Sequence, residues 1–193
     1  MIQHIRSAST YVKQRKFSEL VLRSKLLARE TYDTLRYDAA SRLSRDKYRL
    51  VRTNGYRMYV HLEDRGISKD LFLYGARERF ACQVLKSLLK EDDVVLDIGA
   101  NIGYYALLEN EKATRGHIFA CEPSPSNREL LQRNLALNDA SRVRVFPFAF
   151  AQESKGGRPF YIYDKSNWAS FNNELGSKSK IRKTNWVETI TID

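Results

Sequence analysis

The stretch VVLDIGANIGYY, residues 94–105, decides the fold of this 193-residue chain. A short apolar run at its start leads through Asp97 into a turn that contains Gly99 and Gly103, and aromatic residues follow. This order predicts a buried strand, a tight turn and the first turn of a helix. Glycines in the turn let a ligand approach the backbone, and the free amides of the helix start point towards that ligand. The stretch therefore predicts a nucleotide-type cofactor site at the end of the strand.

The residues around this turn distinguish two kinds of nucleotide cofactor. A dinucleotide turn requires Gly-x-Gly-x-x-Gly, but Asn101 stands where the second glycine is needed. The Asp97 carboxylate would repel a pyrophosphate, whereas it would attract a sulfonium or an ammonium group. Glu122 ends the next predicted strand, where an acidic side chain can accept hydrogen bonds from both ribose hydroxyls. The two acids favour S-adenosylmethionine over a phosphate-bearing cofactor.

Short apolar runs and amphipathic segments alternate on both sides of this stretch. Strands are predicted at residues 56–62, 94–96, 117–121, 143–148, 160–163 and 187–192, and helices at 78–89, from 104, and at 127–138. The apolar runs in the centre are short and nearly continuous, which is typical of strands buried on both faces. The sequence therefore predicts an α/β fold with a mainly parallel sheet and helices on both faces.

Two motifs together resemble the FkbM family of S-adenosylmethionine-dependent methyltransferases. They are DIGANIGYY at 97–105 and FACEPSPSNRELLQRNLALN at 119–138. The positions that match the family pattern are Asp97, Gly99, Ala100, Asn101, Gly103, Glu122, Pro123, Asn134 and Asn138. The resemblance covers about residues 55–193 and implies a Rossmann-like class I methyltransferase fold.

The same resemblance implies an activity and a set of binding residues. Residues 97–103 would line the methionine part of S-adenosylmethionine, Glu122 would hold the ribose, and Pro123 with Ser124 would lie beside the adenine. The implied reaction is O-methylation of a hydroxyl on a small molecule, sugar, lipid or polyketide-type acceptor. No catalytic base is assigned. Trp168 and Ser170, in the loop SNWASFNN, either face the acceptor or serve local packing.

The sequence departs from the family pattern at its end. Family members continue past a segment like residues 187–193 into an Ile-Lys-x-Asp-(Val/Ile)-Glu-Gly motif on strand four, whereas this sequence stops at Asp193. The sequence is therefore either a C-terminally truncated fragment or an independently short relative of the family. A non-catalytic cofactor- or partner-binding fragment is the alternative function. Strand 94–98 would then have an open edge, which either drives self-association or is covered by the chain itself. Residues 187–192 are the best candidate in the sequence for covering it, although the family resemblance places them near the hairpin after strand three.

The positive charge is concentrated at the N-terminus. Residues 1–52 carry 13 basic and five acidic side chains, whereas the remaining 141 residues carry 20 and 18. This segment predicts a basic helical extension ahead of a cofactor domain at 53–193. It is either a solvated helix packed on the domain or a segment that docks on an anionic surface. Because the main body is nearly neutral, a nucleic-acid partner is not expected.

Composition also indicates the cellular compartment. The two cysteines, Cys82 and Cys121, are 39 positions apart, and neither a signal peptide nor a long apolar span is evident. These features predict a cytoplasmic protein, at most peripheral to a membrane. The three histidines lack metal-ligand spacing, so no metal is predicted.

Overall fold

The computed structural model describes residues 2–173 and 181–193 and divides the chain into two units, Met1–Ser44 and Arg45–Asp193. The first unit is a single helix, α1 (Ile2–Leu43). The second unit begins earlier than the predicted boundary at residue 53, because Tyr48–Thr53 forms a strand that pairs with the next one. Within the described ranges, no helix has the length and apolarity needed to cross a membrane.

A hairpin and two short helices open the second unit. Strands β1 (Tyr48–Thr53) and β2 (Tyr56–His61) are antiparallel and are joined at Asn54 and Gly55. Both turn residues have positive φ, 49° and 91°, as a tight hairpin of the right twist requires. Met58 and Val60 point inward along β2 and are fully buried. Helices α2 (Ile67–Tyr74) and α3 (Arg79–Leu88) follow.

The centre of the second unit is a three-stranded parallel sheet in the order β3-β4-β5. Its strands are β3 (Val94–Ile98), β4 (His117–Cys121) and β5 (Val143–Phe146), connected by helices α4 (Tyr104–Lys112) and α5 (Pro125–Leu137). Ile98 is in register with Cys121, and Cys121 with Phe146, so the carboxyl ends of the three strands lie side by side. The predicted α/β architecture with a parallel sheet is confirmed.

A second sheet follows in the order β6-β8-β7. Its strands are β6 (Ala149–Phe150), β7 (Lys155–Tyr163) and β8 (Ile181–Ile190), and a 3-10 turn at Ser166–Trp168 follows β7. Strand β8 pairs with β6 and β7, so residues 187–192 do not cover the edge of β3; they lie in the hairpin region where the family resemblance places them. Strand β8, which contains most of that segment, forms an antiparallel pair with β7, and β7 is a longer partner than β3.

The outer edge of β3 is open: across residues 2–173 and 181–193, β4 is its only paired strand. The side chains of Val94, Leu96 and Ile98, which share one face of β3, are 70%, 44% and 50% exposed. The sheet order thus leaves β3 with one free edge, and the exposed side chains leave one apolar face of this strand largely uncovered.

Candidate cofactor and acceptor site

A cavity of about 480 Å³ lies at the carboxyl edge of the parallel sheet. This volume is within the range of small-molecule sites, roughly 300–1,000 Å³. Four residues predicted to bind the cofactor line it: Gly99, Asn101, Glu122 and Pro123. They meet there because the β3–α4 turn and the end of β4 are adjacent in a parallel sheet, where crevices form outside the carboxyl ends of strands.

The turn after β3 exposes bare backbone to this cavity. Gly99 has φ +83°, and no atom lies within 4 Å of the position that a side chain would take. The N–H groups of Gly99 and Ala100 both donate to the Cys121 carbonyl oxygen, at 2.9 and 3.1 Å, so the turn is tied to the end of β4. Asn101 also has a positive φ of 50°. The turn therefore leaves the space beside Gly99 free of other atoms.

Glu122 is a buried carboxyl in the cavity wall, with 4% of its surface exposed. Its Oε2 accepts a hydrogen bond from the Asn101 N–H at 2.9 Å, and its Oε1 accepts one from the Ser124 N–H at 2.8 Å. Burial raises the pKa of this carboxyl to about 7, while the Ser124 and Asn101 N–H groups, a hydrogen bond from the Asn127 side chain and the Arg128 charge work against that rise. A carboxylate has about four acceptor positions, so these three donors leave room for a ligand hydroxyl.

Asp97 lies outside the cavity wall. Its Oδ2 is buried and has no hydrogen-bond partner among the described residues, and the same holds for Oε2 of Glu109 on α4. Burial raises the pKa of both carboxyls, and the Asp97 charge raises that of Glu109 further. Asp97 thus faces the sheet–helix interior, on the opposite side of β3 from Ile98, which does line the cavity.

Three other residues predicted to bind the cofactor are buried behind the wall. Gly103 packs on α5, since a side chain there would approach Cδ1 of Leu131 to 2.7 Å. Ala100 is buried, and Ser124 is fully buried where it donates to Glu122. The structure places these residues as supports of the turn and of Glu122, and Leu131 of α5 takes the space beside Gly103.

Three groups of residues from other segments complete the wall. They are Ile67, Arg77, Glu78 and Tyr105 on one side, Phe148, Ala149, Phe150 and Phe160 on another, and Ser166, Asn167, Ala169, Ser170 and Phe171 in the loop after β7. Sequence reasoning missed most of them, although the charged Arg77 and Glu78 just before an amphipathic helix were a visible signal. Of the two loop residues singled out from sequence, Ser170 lines the cavity, whereas Trp168 lies under the Lys165 ammonium at 4.1 Å.

Asp64 fixes the loop after β7 over the cavity. Its Oδ1 accepts the Ser166 N–H at 2.8 Å, and its Oδ2 accepts the Ser166 hydroxyl at 2.9 Å. The same carboxylate accepts the N–H groups of Gly66 and Ser68 at the start of α2. Asp64 is buried, so this network joins the hairpin region to the loop and holds one wall of the cavity in place.

The wall fits an adenosyl group carrying an amino acid. Glu122 keeps room to accept a ribose hydroxyl beside its three donors, and the open space at Gly99 admits a ligand chain against the backbone. Pro123 and Phe148 supply apolar surface for a base. Among the residues that the structure describes, no group of three or more His, Cys, Asp or Glu could hold a metal ion.

Comparison with known families decides the class of the protein. The family model for the methyltransferase FkbM domain matches residues 97–193, which is half of the chain. The chain belongs to the FkbM methyltransferase domain family. The predicted family is thereby confirmed, together with its Rossmann-like fold and its cofactor class, S-adenosylmethionine.

Curated relatives match over shorter stretches. Methyltransferase sdnD of Sordaria araneosa is 44% identical over 52 residues, 27% of this chain and 20% of that protein. Hexuronic acid methyltransferase AglP of Haloferax volcanii is 32% identical over 80 residues, 42% of this chain and 31% of that protein. The chain thus spans less than a third of the length of these two relatives.

Solved structures are more distant. TYW2 of M. jannaschii in complex with AdoMet superposes with a TM-score of 0.45 at 14% identity, over 58% of this chain and 54% of that one. A likeness of this extent assigns neither a residue nor a substrate to the FkbM chain.

Proposed function

We propose that this chain binds S-adenosylmethionine in the 480 Å³ cavity and methylates a hydroxyl oxygen of a sugar, lipid or polyketide-type acceptor. The observation that carries the proposal is the buried Glu122 carboxylate, facing the cavity beside the bare backbone of Gly99. An acid at this position accepts both hydroxyls of a ribose, whereas it would repel the phosphates of other nucleotide cofactors.

The chain's own residues bind and orient the nucleoside. Glu122 is pre-positioned by the backbone N–H groups of Asn101 and Ser124, so little ordering is needed when a ribose arrives. When bound, the cofactor supplies an electrophilic methyl group on a positively charged sulfur. The walls then hold the acceptor oxygen in line and keep water out, which lowers the entropic part of the barrier.

The acceptor is proposed to lie under the loop after β7. Phe160 and Phe171, whose rings pack edge to face at 5.1 Å, give this part of the cavity apolar surface, and Ser170 adds a hydroxyl. Aromatic faces with a few polar groups are the usual lining of sites for ring-shaped ligands. The match to AglP, which is named a hexuronic acid methyltransferase, supports a sugar within this acceptor class.

Two measurements on the 193-residue chain test the proposal. Calorimetric titration with S-adenosylhomocysteine should show one site per chain, and radiolabelled S-adenosylmethionine should transfer its methyl group to one of a panel of oligosaccharide, hydroxylated-lipid and polyketide acceptors. Absence of binding contradicts the proposal. Binding without transfer to any acceptor supports instead the second candidate, a non-catalytic binding fragment.

A further inference from the structure

An Arg-Glu corner, Arg77 and Glu78, lies in the cavity wall immediately before α3. Glu78 has φ +47°, in the left-handed region. The other described residues except glycine with positive φ are Asn54, Asn101 and Asp139. Asn and Asp tolerate that conformation, whereas a glutamate in it is unusual and costs conformational energy. Such a conformation persists where the surrounding structure imposes it.

Tyr104, the first residue of α4, imposes the position of this corner. Its hydroxyl donates to the Arg77 carbonyl oxygen at 2.6 Å and accepts the Arg77 N–H at 2.9 Å. The Asn54 side chain donates to the same hydroxyl at 2.7 Å. Tyr104 is buried and follows directly on Gly103. The corner is therefore fixed relative to the glycine turn that faces the cofactor.

The Glu78 carboxylate is held in its orientation and in its ionised state. Its Oε2 accepts the Tyr105 hydroxyl at 2.6 Å, and its Oε1 accepts Nε of Arg77 at 3.0 Å. These hydrogen bonds, the Tyr105 bond first, lower the pKa of Glu78, while burial opposes them. Burial raises the pKa of the Tyr105 hydroxyl, which therefore stays protonated and remains a donor. Each oxygen of Glu78 keeps an acceptor position free.

The charges around Glu78 favour a cationic ligand. The Arg77 guanidinium is shared with Asp70, whose Oδ2 lies 2.7 Å from Nη1 of Arg77, so its positive charge is largely compensated. Glu122, the other carboxyl of the wall, already accepts two backbone N–H groups. Glu78 is thus the carboxylate best placed for a charged N–H donor. A carboxyl with a lowered pKa is also a weak proton acceptor, so it suits binding better than deprotonation of a hydroxyl.

We propose that Glu78 binds the α-ammonium group of the cofactor's methionine moiety, with Tyr105 as the residue that positions its carboxylate. This assignment rests on the proposed function. It gives the methionine end a recognition residue outside the glycine motif, and it explains why a strained glutamate is built into this wall.

Calorimetry with two ligands tests the role of Glu78. One ligand is S-adenosylhomocysteine, and the other is its deaminated analogue, which keeps the carboxylate and lacks the amine. We expect wild-type protein to bind the analogue about tenfold more weakly, and Glu78→Gln to bind S-adenosylhomocysteine about tenfold more weakly while its affinity for the analogue is unchanged. Glu129→Gln, the same change at an exposed position on α5, should leave both affinities as in wild type.

Tyr105→Phe is a second variant that keeps the glutamate. Its affinity for S-adenosylhomocysteine should be about threefold lower and its affinity for the analogue unchanged, because only the positioning hydrogen bond to Glu78 is lost. If Glu78→Gln lowered the affinity for both ligands equally, Glu78 would have a structural role and the proposal would be overturned. Unchanged affinity for both ligands would also overturn it. If wild-type protein binds neither ligand, the proposed function fails and this assignment with it.

Discussion

At the scale of single residues, Glu122 makes the most specific prediction. Its pKa of about 7 means that it is half protonated near neutrality, whereas ribose hydroxyls donate best to the ionised form. Affinity for S-adenosylhomocysteine should therefore be about tenfold lower at about pH 6 than at about pH 8.

Glu122→Gln is the matching variant, since it cannot ionise. Its affinity should be lower by about 1.5–3 kcal/mol at high pH, as for a lost hydrogen bond to a charged group, and it should no longer vary with pH. A pH dependence that survives in Glu122→Gln would assign the titration to another group and contradict this role.

The buried carboxyls of Asp97 and Glu109 make a prediction about stability. Burial raises the pKa of both in the folded protein, so the folded state holds protons that the unfolded chain releases. The protonated pair therefore contributes to the free energy of unfolding at acidic pH, and this contribution is lost as the pH rises through neutrality. Glu109→Gln removes the ionisable group from α4 while nearly preserving its shape.

We expect Glu109→Gln to increase the free energy of unfolding at about pH 8 by about 1–3 kcal/mol, and to have a smaller effect at about pH 5. Urea denaturation at the two pH values measures this difference. An effect of equal size at both values would mean that the gain does not come from ionisation.

At the scale of elements, the two glycines of the β3–α4 turn have separate tasks. Gly99→Val should abolish ligand binding, because a branched side chain would enter the open space in the cavity wall and φ +83° strains any side chain. Gly103→Ala should instead lower the free energy of unfolding by about 1–3 kcal/mol, since its methyl group meets Leu131 at 2.7 Å.

Calorimetry and urea denaturation of both variants separate the two effects. Tight binding by a folded Gly99→Val protein would show that the turn does not contact the ligand. An unchanged stability of Gly103→Ala would show that α4 and α5 adjust easily to a larger residue.

The parallel strands were predictable because their apolar runs are short and are bounded by turn residues. The run after Asp93 begins β3 at Val94, and the run at 117–121 is β4 as predicted. Strand β1 was missed because Arg49 and Arg52 are three positions apart inside a strongly basic segment, a spacing that resembles the end of a helix. Periodicity alone does not distinguish these two in so short a stretch.

The site was predictable only where its residues belong to the turn motifs. Glu122 and Gly99, which line the cavity, could be singled out because their chemistry and their place after a strand coincide. Glu78 was missed because its proximity to the turn depends on the Tyr104 hydroxyl, a contact that joins segments 27 residues apart. Asp97 and Gly103 were predicted to line the cofactor. Strand alternation instead turns the Asp97 side chain inward, and Leu131 of α5 fills the space beside Gly103.

At the scale of the whole molecule, the open edge of β3 remains the basis of a predicted self-association. Exposed Val94, Leu96 and Ile98 beside unpaired backbone groups form a template for a second strand. We expect the 193-residue chain to be larger than a monomer by light scattering at micromolar concentration. Leu96→Lys, which puts a charge on this face, should shift it towards the monomer. A wild-type monomer at all concentrations would contradict this prediction.

Docking of the basic N-terminal segment on an anionic surface also stays a prediction. Helix α1 carries exposed apolar side chains, among them Phe17, Leu20 and Leu27, together with an excess of basic residues. Such a helix is suited to an anionic surface. Sedimentation with vesicles containing anionic lipid, compared with neutral vesicles, measures whether the segment docks there.

A crystal structure of the chain with S-adenosylhomocysteine would show whether the cavity at the carboxyl edge of the parallel sheet holds the cofactor. We expect ribose hydroxyls within hydrogen-bonding distance of Glu122, the ligand chain passing over Gly99, and the base against Pro123 and Phe148. Ligand density elsewhere on the molecule, or a ribose that does not contact Glu122, would contradict it.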